Sequence, residues 1–119
     1  MSNSDELVRV TPDRIVYITA DGNYSTLMLT GEKQHVFSIN LGEIQKRLEN
    51  QLKAESQQFI RIGKSLIINC NYIYSIHIGK QRLILADRQF QHHYELSASR
   101  DALRELKSVV EADIKQEKI

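Results

Sequence analysis

Two short runs rich in β-branched residues, Phe59–Ile62 and Leu66–Asn69, stand on either side of a polar step, Gly63-Lys64-Ser65. Four apolar residues are too few for a helix, and a glycine-containing reversal between two such runs reads as an antiparallel hairpin. This segment commits its part of the chain to paired strands. It also sets a cation and a hydroxyl at the hairpin tip, with Arg61 just before them.

The same punctuation recurs along the chain. Ile15-Val16-Tyr17-Ile18 reads as a strand, Asp21-Gly22-Asn23 as a turn and Tyr24–Leu29 as the returning strand. Gly31-Glu32-Lys33 makes a second turn, and Gln34–Ile39 a third strand. Asn40-Leu41-Gly42-Glu43 then resembles a capping box, in which Asn40 accepts from the backbone and Glu43 reaches back. Leu41, Ile44, Leu48 and Leu52 follow at helical spacing, and Lys53–Gln58 forms a polar connection.

Beyond the hairpin, Tyr72–His77, Arg82–Ala86 and Phe90–Leu96 read as strands, separated by the turns Gly79-Lys80-Gln81 and Asp87-Arg88-Gln89. Ser97 or Ser99 can cap a closing helix with an apolar stripe of Leu103, Leu106, Val110 and Ile114. Strands, helix, strands, helix with hairpin-length links, and no βαβ alternation, imply a mainly β domain of the α+β class, with antiparallel strands and two short packing helices. The expected boundaries are a flexible segment over 1–12, one domain over 13–114 and a tail over 115–119.

Composition narrows the function. At 119 residues, 41% apolar and 26% charged, the chain can close a modest core. It has no apolar run of membrane-spanning length and no signal-peptide pattern, and its lone Cys70 cannot form an internal disulfide, which together fit a reducing cytoplasm. The net charge of +1 is low for a nucleic-acid binder, but it is unevenly spread. Residues 1–58 hold six Lys/Arg against eight Asp/Glu, 59–104 seven against three, and 105–119 three against four. On charge alone these are solvated strand-end and loop cations.

His92 and His93 are adjacent on a strand, so they face opposite ways and cannot easily share a metal, while His35 and His77 are isolated. No phosphate loop, nucleophile elbow or His–acid–Ser spacing suggests an enzyme, and none implies a cofactor.

Several segments, in order over roughly residues 13 to 110, resemble the LytTR DNA-binding domain family. They are Ile15–Tyr24 with its acidic-Gly-Asn-Tyr turn, Leu41–Leu52 as the first helix, Phe59–Asn69, Tyr72–Ile76, and Ser97-Ala98-Ser99-Arg100 before the last helix. The resemblance implies an elongated arrangement of sheets that binds DNA through loops entering successive major grooves, as a bacterial transcriptional regulator. It also implies double-stranded DNA with paired repeats as partner, a weak homodimer on that DNA, and no membrane. Members usually carry an upstream phosphate-receiving domain, as in two-component response regulators. Only a short polar segment precedes the first strand here, so the chain is expected to be a free-standing member or a single domain.

By position, the family's DNA-facing points fall at Asn23-Tyr24-Ser25, at Gly63-Lys64-Ser65 and at Arg100. Arg100, Lys64 and Ser25 are the expected base contacts. A guanidinium can bond guanine O6 and N7 together; without the resemblance Arg100 would be an ordinary exposed helix-start residue. Arg61, Ser65, Asn23, Ser99, Arg82 and Lys80 are the expected phosphate contacts, with Arg88 weaker. Arg61 alternates with Ile60 and Ile62, so its side chain is expected to face away from the core. Tyr24 reads as a packing aromatic and Asn23 as a turn residue tolerant of unusual dihedrals. The chain departs from the family at Gly63, where a larger basic or histidine residue is usual. The neutral total charge and Gly63 together motivate the alternative, a protein-interaction or sensory module on the same scaffold.

Overall fold

The computed structural model describes residues 10–52, 58–87 and 92–117. Its backbone falls into two compact units, Met1–Asn69 and Cys70–Ile119. The strands are antiparallel throughout, in two sheets with two helices, as the punctuation of the sequence implies.

The first unit holds strands β1 (Ile15–Asp21), β2 (Tyr24–Leu29) and β3 (Lys33–Phe37), helix α1 (Leu41–Leu52), and strands β4 (Phe59–Ile62) and β5 (Leu66–Asn69). They form one sheet in the order β3-β2-β1-β5-β4. β1 sits centrally, pairing Ile18 with Leu27 on one side and with Ile67 on the other. Those three residues share a face with Leu29 and Phe37, and α1 covers it with Leu41, Ile44 and Leu48. Val10 also packs on this core, within the segment read as flexible, and a single 3-10 turn, Pro12–Arg14, leads into β1.

Helix α1 starts where its cap chemistry dictates. The Asn40 side-chain oxygen accepts from the Glu43 N–H at 2.8 Å, and the Asn40 carbonyl accepts from the Ile44 N–H at 3.2 Å. Glu43 does not reach back. Its carboxylate lies 3.6 Å from Arg47 one turn on, so the capping box is half made. β3 ends at Phe37, two residues short of the expected Ile39, and beyond it the Ile39 carbonyl accepts from the Ser25 hydroxyl at 2.6 Å.

The second unit holds β6 (Ile73–His77), β7 (Arg82–Ala86), β8 (His93–Ser97) and α2 (Arg100–Glu117), with the sheet order β6-β7-β8. Tyr72 belongs to a 3-10 turn, Cys70–Tyr72, so β6 begins one residue later than expected. Leu83, Leu85 and Tyr94 are buried on the sheet, and Leu103 and Leu106 on α2. On the other face of this sheet the Tyr74 and His93 rings meet, their centroids 5.7 Å apart. The side chains of Leu52, Arg88 and Ile114, the turn through Arg88 and Gln89, and Phe90 lie outside the described residues. No described helix is long and apolar enough to cross a membrane.

One buried polar contact ties the start of β1 to the end of β5. Asn69, with no exposed surface, donates from Nδ2 to the Ile15 carbonyl at 2.9 Å across 54 residues of chain. Removing it leaves a buried carbonyl short of a donor and opens a small void. Asn69→Ala is expected to lower stability by about 2–3 kcal/mol. Urea unfolding checks this; a midpoint equal to the wild type's would show that the contact adds nothing.

Candidate nucleic-acid interface

The first unit gathers its functional candidates at one end of its sheet. β1 and β5 run antiparallel, with Thr19 opposite Leu66, so the β1–β2 turn and the β4–β5 turn lie side by side. The Ala20 N–H donates to the Ser65 carbonyl at 2.9 Å and stitches the two tips together. At the first tip the left-handed conformation belongs to Gly22 (φ +61°), and Asn23 is left exposed beside it. The expectation that Asn23 supplies the unusual dihedral is therefore corrected; the residue without a Cβ takes it.

The second tip is held from beneath by Arg61. Its Nε donates to the Gly63 carbonyl (3.3 Å), Nη2 to the Lys64 carbonyl (3.1 Å) and Nη1 to Gln45 Oε1 on α1 (3.1 Å). The strand register sets Arg61 on the same face as Phe59 and α1, opposite Ile60 and Ile62. Arg61 thus points to the helix side of the sheet, at its edge, and not away from the core as expected; its side chain is exposed there because β4 is the last strand. With the Ser65 carbonyl held by Ala20, all three tip carbonyls are hydrogen-bonded within the protein. Lys64 and Ser65 are exposed.

Ser25 does not fit the role expected of it. It has no exposed surface, and its hydroxyl donates to the Ile39 carbonyl. The inward phase of β2 is set by Leu27 and Leu29, and two residues earlier that phase reaches Ser25. Tyr24 consequently points the other way and is 58% exposed, which corrects its reading as a packing residue.

The second unit makes its own cluster. Ser99 caps α2, its Oγ accepting from the Ala102 N–H at 3.1 Å, so the cap is Ser99 and not Ser97. Arg100 is exposed, and its Nη2 donates to the Gly79 carbonyl at 3.2 Å. The Ala98 N–H donates to the Gln81 carbonyl at 3.3 Å. These contacts fasten the start of α2 to the β6–β7 turn, where Lys80 is exposed. Arg82 lies next to this turn, but its charge is matched by Glu95 at 2.6 Å, which leaves it little for a phosphate.

Pairing with carboxylates separates the basic residues. Arg47, Arg104 and Lys107 have acidic partners on their own helices. Among the described residues Arg61, Lys64, Lys80 and Arg100 have no carboxylate within ion-pair distance and lie at the two clusters, while Arg14, Lys33 and Lys46, also without one, lie away from them. Among the described residues no three of His, Cys, Asp or Glu could together hold a metal ion.

Two antiparallel sheets, each with one helix and a tip of unmatched cations, are the arrangement of a loop-presenting binding domain. The model of the LytTr DNA-binding domain matches residues 5–111, most of the chain, and the protein belongs to that family. It is accordingly a DNA-binding domain of the kind used in transcription regulation. Among solved structures it is similar to the LytTr DNA-binding domain of a protein from Bacillus cereus described as a methyl-accepting/DNA response regulator. That likeness has a TM-score of 0.64 at 17% identity and covers 92% of each chain. At that identity it speaks for the fold. No curated protein matches the chain.

Ser25→Ala separates a structural hydroxyl from a DNA contact. It is expected to cost about 1–2 kcal/mol of stability, because the Ile39 carbonyl loses its donor. Duplex affinity measured well below the melting temperature should stay within twofold of wild type (roughly 0.4 kcal/mol). A large loss of affinity without loss of stability would return Ser25 to the interface.

Proposed function

We propose that the chain is a sequence-specific regulator of bacterial transcription that inserts the tips of its two units into major grooves of duplex DNA. The observation that carries this reading is that both units present cations without carboxylate partners at their hairpin turns. Lys64, Lys80 and Arg100 are exposed at turns or helix starts that are fixed by internal hydrogen bonds. Groups held in place before the duplex arrives lose less freedom on binding.

Arg100 reads a base. One of its five N–H donors is engaged with Gly79, and the others are available to guanine O6 and N7. Lys64 contacts phosphate and reaches a base edge. Ser65, Asn23, Ser99 and Lys80 contact phosphate, and Arg61 supports the tip that bears Lys64. Tyr24, exposed at the first tip, adds a hydroxyl that can donate to phosphate. Two copies occupy paired repeats on one face of the duplex as a weak homodimer. The protein acts in the cytoplasm, as the output of a two-component response regulator.

Binding isotherms over a range of salt test this reading. Arg100→Ala should reduce discrimination at one base pair of each half-site by about 1–3 kcal/mol. Lys64→Ala should weaken binding to every sequence alike and reduce the magnitude of the log–log salt slope by about 0.9. An Arg100→Ala variant that binds a selected site like wild type removes Arg100 from base reading. A wild-type chain with no affinity for any duplex at low salt overturns the whole reading.

A further inference from the structure

We infer that a pocket in the first unit seats one backbone phosphate of the duplex; the inference rests on the DNA-binding reading above and names where this unit takes hold. The pocket measures about 330 Å³ and opens between the two hairpin tips and the start of α1. Arg61, Lys64 and Ser65 form one side of it, Gly22 another, and Asn40 and Gly42 a third. No acidic side chain lines it, so an anion entering meets two cations and no opposing charge. Lys64 and Ser65 can both donate to a phosphate oxygen.

Gly42 lines the pocket beside the tip residues. Glycine is a poor helix former, yet it occupies the second position of α1. The fold does not demand it there. A Cβ built on Gly42 would meet only the Asn40 side-chain oxygen, at an ordinary 3.5 Å. Gly42 is part of the pocket wall, so a side chain added there stands at the pocket. The first-turn N–H groups of a helix have no intrahelical partner, and that of Glu43 is taken by Asn40. Those of Leu41 and Gly42, both in the pocket wall, remain for a ligand.

A second pocket of about 230 Å³ also touches Arg61, but its walls include Glu49, Leu48 and Phe59. A carboxylate and apolar side chains suit a phosphate poorly, which singles out the first pocket.

The test uses Gly42→Ala and Gly42→Glu, titrated with a mixed-sequence duplex at several salt concentrations. Both changes favour the helix, the first by propensity and the second by placing an acid at its N-terminus, so melting temperatures should hold or rise. Duplex affinity should nevertheless fall severalfold for Gly42→Ala and further for Gly42→Glu. The salt slope should lose about 0.9 in magnitude, the signature of one phosphate. In the wild type, the amide resonances of Leu41, Gly42 and Ser65 should shift on adding duplex and much less on adding inorganic phosphate at equal phosphate concentration.

Wild-type affinity and slope in Gly42→Glu, beside normal duplex binding by the parent chain, would overturn the pocket and leave the DNA-binding reading standing. Equal resonance shifts with inorganic phosphate would make this a free-anion site and also overturn the inference. Absence of duplex binding by the parent chain would remove both.

Discussion

The register of β1 is the constraint on which the first unit's site depends. Because β1 lies between β2 and β5, one strand fixes the phase of two neighbours at once. A slip of β1 by one residue would turn Ile18 out of the core and away from Leu27 and Ile67, and the same slip would separate Ala20 from Ser65. Burial of the apolar face and alignment of the two hairpin tips are therefore one event. The tips need no separate device to find each other.

Charge follows the same logic at another scale. A total of +1 is a weak argument for a polyanionic partner. Yet Arg47, Arg82, Arg104 and Lys107 have acidic partners along helices or across strands, whereas Arg61, Lys64, Lys80 and Arg100 at the tips, and Arg14, Lys33 and Lys46 elsewhere, have none within ion-pair distance among the described residues. Surface ion pairs of the first kind add little stability, but they remove charge from the helix and strand surfaces. Four of these seven unmatched cations sit at the two clusters, an unevenness that a total over the chain does not show.

Most of the fold was legible in the sequence. The bounds of β2, β4, β5 and β7 coincide with the apolar runs that announced them, because short β-branched runs between turn residues admit few other structures. Asn40 declared the start of α1. Misreadings came where two neighbours competed for one role. At Tyr24-Ser25 the aromatic was assigned inward for its size, whereas counting back by twos from Leu29 and Leu27 puts Ser25 inside. At Gly22-Asn23 the polar residue was given a dihedral that the residue without a Cβ adopts at lower cost. Arg61 defeated sequence reasoning for a different reason. Its partners are two carbonyls and a glutamine 16 residues away, and backbone acceptors leave no trace in composition. The glycine at 42 carried a readable signal, an unfavourable residue at a helix start, but its meaning needed the neighbouring tip in view.

The inward-facing carbonyls of the Gly63–Ser65 tip restrict what that tip can recognise. Every main-chain acceptor there is already occupied, and Lys64 adds only donors. Apart from the Ser65 hydroxyl, such a surface is richer in free donors than in free acceptors. The hydrogen bonds that stiffen the tip therefore also bias it toward ligands that accept hydrogen bonds.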